Sequence, residues 1–322
     1  MDDLEFARKQ WLADEPCFAA FGACVTERLQ TFIRSVGIAA QVSARTKEMD
    51  SLLKKLIRKP HLTYATMGDR LGARVVVKRL ADVNSICAGL GYAFSCGPFE
   101  NTADRLADDQ VGYLSTHVDI ALSPADPRIE EFPVAAFRAE LQVRTLAQNL
   151  WSEMSHDTAY KSGNVVHQGL KRRLHLLAAL IEVADNDYQR VEDEIATLPD
   201  MPELQVLRAL ERQYYKLASR HGDTELSLRV IRLLWPLYEK TPAELNVHFE
   251  TVFAKHKNEL EKVFEQAEAT ASDRSAFLFQ PEILMIYDQL GAMPYRLRPQ
   301  WIQEFPEKEL ERIAIRFGRS FA

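Results

Sequence analysis

The 322-residue sequence predicts an α+β fold, a mixed β-sheet flanked by helices and followed by an all-helical region, and three observations carry that prediction. Asp69 to Val77, Gly112 to Ile120 and Ala139 to Thr145 alternate polar and apolar residues at the two-residue period of a strand. Valine-rich runs separated by Gly, Pro, Asn and Asp occupy positions 67 to 145. From Leu146 onward, apolar residues return at spacings of three and four. The change of texture divides the chain into an expected sheet domain over residues 1–164 and a helical domain over 165–322, the latter a candidate regulatory element.

In chain order, the pattern up to about Lys59 is helical, with Leu52, Leu53 and Leu56 on one face, Asp50 or Ser51 as cap and Pro60 as stop. Asp69 to Val77 opens with an acid and places Arg74 before its valines. The segment from Leu80 to about Leu90 repeats apolar residues as a helix does. In the next strand Tyr113, Ser115, His117 and Asp119 share a face; in the last, Glu140, Gln142 and Arg144 do, with Leu141 and Val143 opposite. A face carrying acids, arginine, histidine, glutamine and tyrosine is costly to bury, so it reads as a site. Beyond it, helical sequence runs to the end with breaks near Gly163, Pro199, Gly222, Pro242 and Pro281. Leu170, Leu174, Leu177 and Ile181 form one apolar stripe and Leu226, Val230, Leu233 and Leu237 another, with Trp235, Tyr238, Trp301 and Phe305 as packing aromatics.

Composition narrows the function classes. A net charge of −6 argues against broad attraction to nucleic acid or anionic membrane, so an anionic ligand has to be met locally. The charged start MDDLEFARKQW lacks the core of a secretory signal, and no run of about 18 apolar residues occurs, so a cytoplasmic protein without membrane partners is expected. Cys17, Cys24, Cys87 and Cys96 have neither CxxC spacing nor a nearby histidine pattern, which points to reduced thiols rather than zinc.

Asp69 and Glu140 are the candidate carboxylates for a hard divalent cation, since Mg²⁺ takes one or two carboxylates together with phosphate oxygens and water. The competing reading is ion pairing of Asp69 with Arg70 or Arg74 and of Glu140 with Arg144. Arg45, Lys47, Ser51 and Lys55 put three cations and a hydroxyl before and within the first turns of a helix, a cradle suited to polyphosphate. A solvated basic helix face is the competing reading of SLLKKLIRK. His156-Asp157 is similar to the metal-binding dipeptide of His-Asp phosphohydrolases, but His61, His117, His167 and His175 supply no further ligand pattern, so hydrolysis is not expected.

Taken in order, these residues resemble the synthetase domain of the RelA/SpoT family, which makes ppGpp and pppGpp. The Arg-x-Lys, Ser, Lys pattern is Arg45, Lys47, Ser51 and Lys55; D-x-x-G-x-R is Asp69, Gly72 and Arg74. G-Y-x-S-x-H is Gly112, Tyr113, Ser115 and His117; E-x-Q-x-R-T is Glu140, Gln142, Arg144 and Thr145; the helix after it ends H-x-x-x-Y-K at His156, Tyr160 and Lys161. Each is loose alone, but five in order over Arg45 to Lys161 are specific.

The resemblance implies a nucleotidyltransferase-like synthetase fold and a Mg²⁺-dependent GTP pyrophosphokinase. Arg45, Lys47, Ser51, Lys55 and Arg74 would hold ATP; Asp69 and Glu140 the metal. Tyr113 would stack on the acceptor base, with His117 and Arg144 at the acceptor or its phosphates, and Glu140 with Gln142 would orient or deprotonate the attacking 3′-hydroxyl. His156 and Lys161 are further candidates. The family normally carries a lysine-rich K-D-Y-I segment and an asparagine before the G-Y pair. Here the stretch reads ENTADRLADDQVGY, with Val111 in the asparagine's place, and valine offers guanine no side-chain hydrogen bond. The resemblance makes GDP or GTP the leading acceptor, while the altered segment raises an adenine nucleotide or the 3′ end of tRNA as the alternative and a catalytically silent nucleotide-binding module as the third reading. For tRNA, Lys54, Arg58, Lys59, Lys171, Arg172 and Arg173 are the candidate cations, with plain solvation as their other reading. The helical half is a candidate surface for homo-oligomers or a regulatory partner.

Overall fold

The computed structural model describes residues 3–101, 115–161, 168–197, 201–218, 220–269 and 275–320, with no side-chain description at 156–161, 168, 170–171, 196–197 and 268–269. Its contacts divide the chain into two compact units, one of residues 1–33 and 40–190, the other of 34–39 and 191–322. The boundary falls inside a long helix, whereas the expected one at 164/165 lies outside the described residues.

The first unit is built on a five-stranded mixed sheet in the order β1-β2-β5-β4-β3. The strands are β1 Gln41–Thr46, β2 Leu71–Val77, β3 Phe94–Asn101, β4 Thr116–Leu122 and β5 Ala139–Thr145. Only β2 and β5 run parallel. One face is apolar: Leu71, Ala73, Val75, Val118, Ile120, Leu141 and Val143 are all buried. Helix α1, Asp3–Ser35, lies close to it, since a Cβ on Gly22 would stand 3.0 Å from Leu71 Cδ1. Gly37, at φ 70, follows that helix, and its amide donates to Arg34 O at 3.0 Å. Helices α2, Met49–Arg58, α3, Leu80–Gly89, α4, Leu146–Lys161, and α5, Gln168–Thr197, complete the flanks.

Strands β1 and β3 correct the sequence expectation. Gln41–Thr46 lies in the region read as helical, yet it pairs antiparallel with β2, with Arg45 opposite Gly72. β3 contains Gly97-Pro98, a turn signal in sequence, but here the site of a register shift between Cys96 and Phe99 on an edge strand, where proline is tolerated. α2 also starts differently: Glu48 holds the cap position without a side-chain bond, and neither Asp50 nor Ser51 caps it.

The second unit is helical: α6 Pro202–Tyr214, α7 Thr224–Leu234, α8 Pro242–Ala269, α9 Ile283–Ala292, α10 Pro294–Trp301 and α11 Glu307–Arg316. Val230, Leu233, Tyr238, Phe249, Tyr287, Trp301 and Phe305 belong to one buried cluster, with Leu226, Trp235 and Leu237 packed against it. Gly222, Pro242 and Pro281 stand at breaks as expected; Gly163 and Pro199 lie outside the described residues. The stripe from Leu170 to Ile181 is a second correction. Leu177 is 47% exposed, and the described buried side chains of α5 are the small Ala178 and the polar Asp185. Among the described residues no helix is long and apolar enough to cross a membrane. All four cysteines are free thiols.

Candidate active site

Register decides which side chains meet. Paired residues of neighbouring strands share a face, so Arg45 beside Gly72, Gly72 beside Glu140, and Glu140 beside Asp119 carry one polar row across β1, β2, β5 and β4. Arg74, Gln142 and His117 form the next row. This is the face opposite the apolar one.

The edge of the site comes from the chain on either side of β1. Lys47 N donates to Arg70 O at 2.9 Å, which fixes the exit from β1 against the entry to β2. Lys55 lies four residues after Ser51 and therefore on the same side of α2. Lys47 Nζ reaches Asp69 Oδ2 at 2.7 Å and Lys55 Nζ reaches the same oxygen at 2.6 Å. Burial alone would push the Asp69 carboxyl up, but hydrogen bonds from the two lysines outweigh it and hold the acid below its ordinary range. Its other oxygen, Oδ1, is buried with no hydrogen-bond partner among the described residues.

The ion pairs weighed in sequence are thus replaced by others. Arg70 lies over the rings of Phe18 and Tyr64, at 4.7 and 5.3 Å. Arg74 Nη1 donates to Glu153 Oε1 of α4 at 2.9 Å. Glu140 meets His117 Nδ1 through Oε1 at 2.8 Å rather than Arg144. That bond is the main reason its carboxyl lies below the usual glutamate range, against an opposing push from burial. Arg144 is buried; its Nε donates to Ser115 Oγ at 3.2 Å and its Nη2 to Gln142 Oε1.

Two members of the site carry no motif of their own. Asp119 stands directly opposite Glu140, and its carboxyl is pushed up by burial and then by the Glu140 charge. Like charges placed so in a sheet are unfavourable, which sets this pair apart from ordinary surface acids. Glu153 holds Arg74, and Asn149 Nδ2 donates to the same glutamate oxygen at 3.1 Å. The face alternation already identified Asp119, whereas a pair separated by 79 positions leaves no local trace.

β5 is joined firmly to α4. Thr145 N donates to Gln148 Oε1 at 3.0 Å and Gln148 N to Thr145 Oγ1 at 3.1 Å, a reciprocal cap of the Thr-x-x-Gln type. The Thr145 hydroxyl donates in turn to Asp185 Oδ2 of α5 at 2.6 Å, with all three side chains buried. Tyr113 lies outside the described residues, as do the side chains of His156, Tyr160 and Lys161, whose backbone belongs to α4. Among the described residues no group of three or more His, Cys, Asp or Glu stands ready to hold a metal ion. A site of two carboxylates finished by phosphate oxygens matches the donor set that Mg²⁺ takes, and the orphaned Asp69 Oδ1 fits it.

Part of the chain is similar to known proteins. Residues 44–165 match the family model described as the region found in RelA/SpoT proteins. GTP pyrophosphokinase YjbM of Bacillus subtilis (strain 168) is 27% identical over 157 residues, covering 48% of this chain and 72% of the relative. Among solved structures, small alarmone synthetase 1 from Bacillus subtilis is 20% identical and aligns over 59% of this chain and 100% of its own, with a TM-score of 0.49. A GTP pyrophosphokinase family protein from Streptococcus pneumoniae is 24% identical over 58% of this chain and 94% of its own, also at 0.49. Arg45 to Lys161, where the five motifs lie, falls within the segment 44–165 that matches the RelA/SpoT model.

Proposed function

We propose that the first unit is a pyrophosphokinase that passes the β,γ-pyrophosphate of ATP to the 3′-hydroxyl of GDP or GTP. The observation that carries this reading is the meeting of Lys47, Lys55 and Asp69 beside a sheet face that bears Arg45, Arg74 and an ionised Glu140. In the reaction the 3′-oxygen forms a bond to Pβ, the bond from Pβ to the α,β-bridging oxygen breaks, AMP leaves, and the hydroxyl proton passes to solvent water. Such transfers depend on positioning and on neutralising charge more than on covalent chemistry.

Arg45, Lys47, Ser51 and Lys55 bind the triphosphate, and Arg74 supports the adenine end. Asp69 and Glu140 are the residues that would hold Mg²⁺, which when bound neutralises phosphate charge and orients its oxygens. Glu140 is a carboxylate kept below its usual range, so it is a weak proton acceptor and serves mainly to orient the hydroxyl. His117 fixes its rotamer through the 2.8 Å contact, while Gln142 and Ser115 hold Arg144 in place. The acceptor base stacks on Tyr113.

A second reading keeps the donor and changes the acceptor to an adenine nucleotide or the 3′ end of tRNA; the acidic segment ENTADRLADDQVGY with Val111 favours it. Incubation of the full chain with Mg²⁺ and γ-labelled ATP, separately with GDP, GTP, an adenine nucleotide and deacylated tRNA, tests both. Label on GDP or GTP supports the first reading, label on adenine nucleotide or tRNA the second, and no transfer to any of the four contradicts both.

A further inference from the structure

The way Asp69 is held bears on how a metal can reach it. Two ammonium groups from different elements, Lys47 just after β1 and Lys55 in α2, converge on one carboxylate oxygen at 2.7 and 2.6 Å. These are the lengths of strong charge-assisted bonds. The three side chains are only 21%, 23% and 16% exposed, so solvent and salt screen the cluster weakly. Its formal charge is +1, two lysines against one aspartate. Glu140 is likewise engaged, with His117 at 2.8 Å.

We propose that Lys47 and Lys55 form a clamp that closes Asp69 to a free divalent cation, so that this site accepts the metal only as its complex with a nucleoside triphosphate. The inference rests on the nucleotide reading given above. A bare dication approaching Asp69 meets a carboxylate oxygen already held by two ammonium groups. Taking the carboxylate for itself would leave two largely buried ammonium groups without their anion, a costly outcome. Mg²⁺ also gives up its hydration water reluctantly. A triphosphate changes the balance, because its oxygens give both lysines new anionic partners at the moment the metal takes over Asp69. The exchange is then partner for partner, with no buried charge abandoned.

The test uses Mn²⁺ as the probe, its binding to the full chain followed by electron paramagnetic resonance. The proteins are the wild type, Lys47→Met/Lys55→Met and that double variant with Asp69→Asn added, each first shown to keep a cooperative melting transition. The single Lys55→Met replaces the double variant if the latter does not fold. Without nucleotide, the clamp predicts Mn²⁺ binding at least tenfold weaker in the wild type than in the double variant, and loss of the gain when Asp69→Asn is added. With α,β-methylene-ATP, which cannot transfer its pyrophosphate, the wild type should bind Mn²⁺ in a state that Asp69→Asn removes. Equal Mn²⁺ affinity of wild type and double variant, or a gain that survives Asp69→Asn, overturns the clamp. If the lysine effect is present but the analogue does not bind, the nucleotide is not what opens the clamp, and the nucleotide reading fails with it. If the analogue binds and Mn²⁺ stays off Asp69, the clamp fails alone.

Discussion

The carboxyls of Asp69 and Glu140 are each held below their ordinary range by named donors against an opposing push from burial, Lys47 and Lys55 for one and His117 for the other. Asp69→Asn and Glu140→Gln keep shape and remove charge, so each should lower turnover at least about a hundredfold, given that a metal contact supplies several kcal/mol; the melting temperature should stay within a few degrees in Glu140→Gln and fall further in Asp69→Asn, which takes the anion from two largely buried ammonium groups. Steady-state label transfer and a thermal melt check both halves of that expectation. Retention of more than about a tenth of activity would remove the residue from the metal site. The His117 contact gives a pH prediction. It is the largest influence lowering the Glu140 carboxyl, so His117→Leu lets that carboxyl rise. Activity that needs ionised Glu140 is present above its pKa and lost as pH falls through it; the acid limb of the rate profile should therefore move to higher pH in the variant. An unmoved limb would mean that another group sets it.

At the scale of elements, the reciprocal cap at the start of α4 and its tie to Asp185 fix the strand that bears Glu140. Asp185→Ala leaves the buried Thr145 hydroxyl without its acceptor and should cost about 1–3 kcal/mol, read from urea unfolding followed at the first unit. A loss under about half a kcal/mol would show that the hydroxyl finds a substitute. Element by element, legibility followed contrast. β5 runs from Ala139 to Thr145 as the alternation predicts, and β2 ends at Val77 as predicted, because one face of each is buried and the other polar. β1 was absorbed into a helical reading since only Val42 and Ala44 mark its inner face and helices adjoin it on both sides. β3 was hidden by Gly97-Pro98, a bulge that sequence cannot tell from a turn. The α5 stripe shows the opposite error: helical spacing of leucines identifies an apolar face, but partners elsewhere in the chain decide whether it is covered. Within the site, residues were legible where a motif joins neighbours in sequence; the pairings of Lys47 and Lys55 with Asp69, and of Arg74 with Glu153, come only from the fold.

At the scale of the whole molecule the two compact units differ in what they match and in what they bury. The RelA/SpoT match ends at residue 165, while the helical unit has its own buried cluster and its own titrating group. Glu282 there is 0% exposed, bonded to Ser227 Oγ through Oε2 at 2.6 Å, with Oε1 unpartnered among the described residues. Burial, with a smaller push from the Asp223 charge, moves its carboxyl from 4.5 to about 7. A raised acid favours the folded state while it stays protonated. Its contribution is thus full below about pH 4.5 and is lost as pH rises to about 7, a change of roughly 3 kcal/mol at 1.36 kcal/mol per unit. The melting temperature of the helical unit should fall between about pH 4.5 and 7 in the wild type and respond much less in Glu282→Gln; identical pH responses would place the carboxyl's titration outside this window.

Which bond of ATP breaks decides whether the sheet face bearing Glu140, with Asp69 and the lysines at its edge, transfers a pyrophosphoryl group. The full chain is incubated with Mg²⁺, an acceptor from the panel above that takes label, and ATP labelled at either the α or the γ phosphate. AMP formed in equal amount to γ-labelled acceptor is the predicted result, with Asp69→Asn abolishing both together. Release of ADP with transfer or hydrolysis of the γ-phosphate alone would rule out pyrophosphoryl transfer.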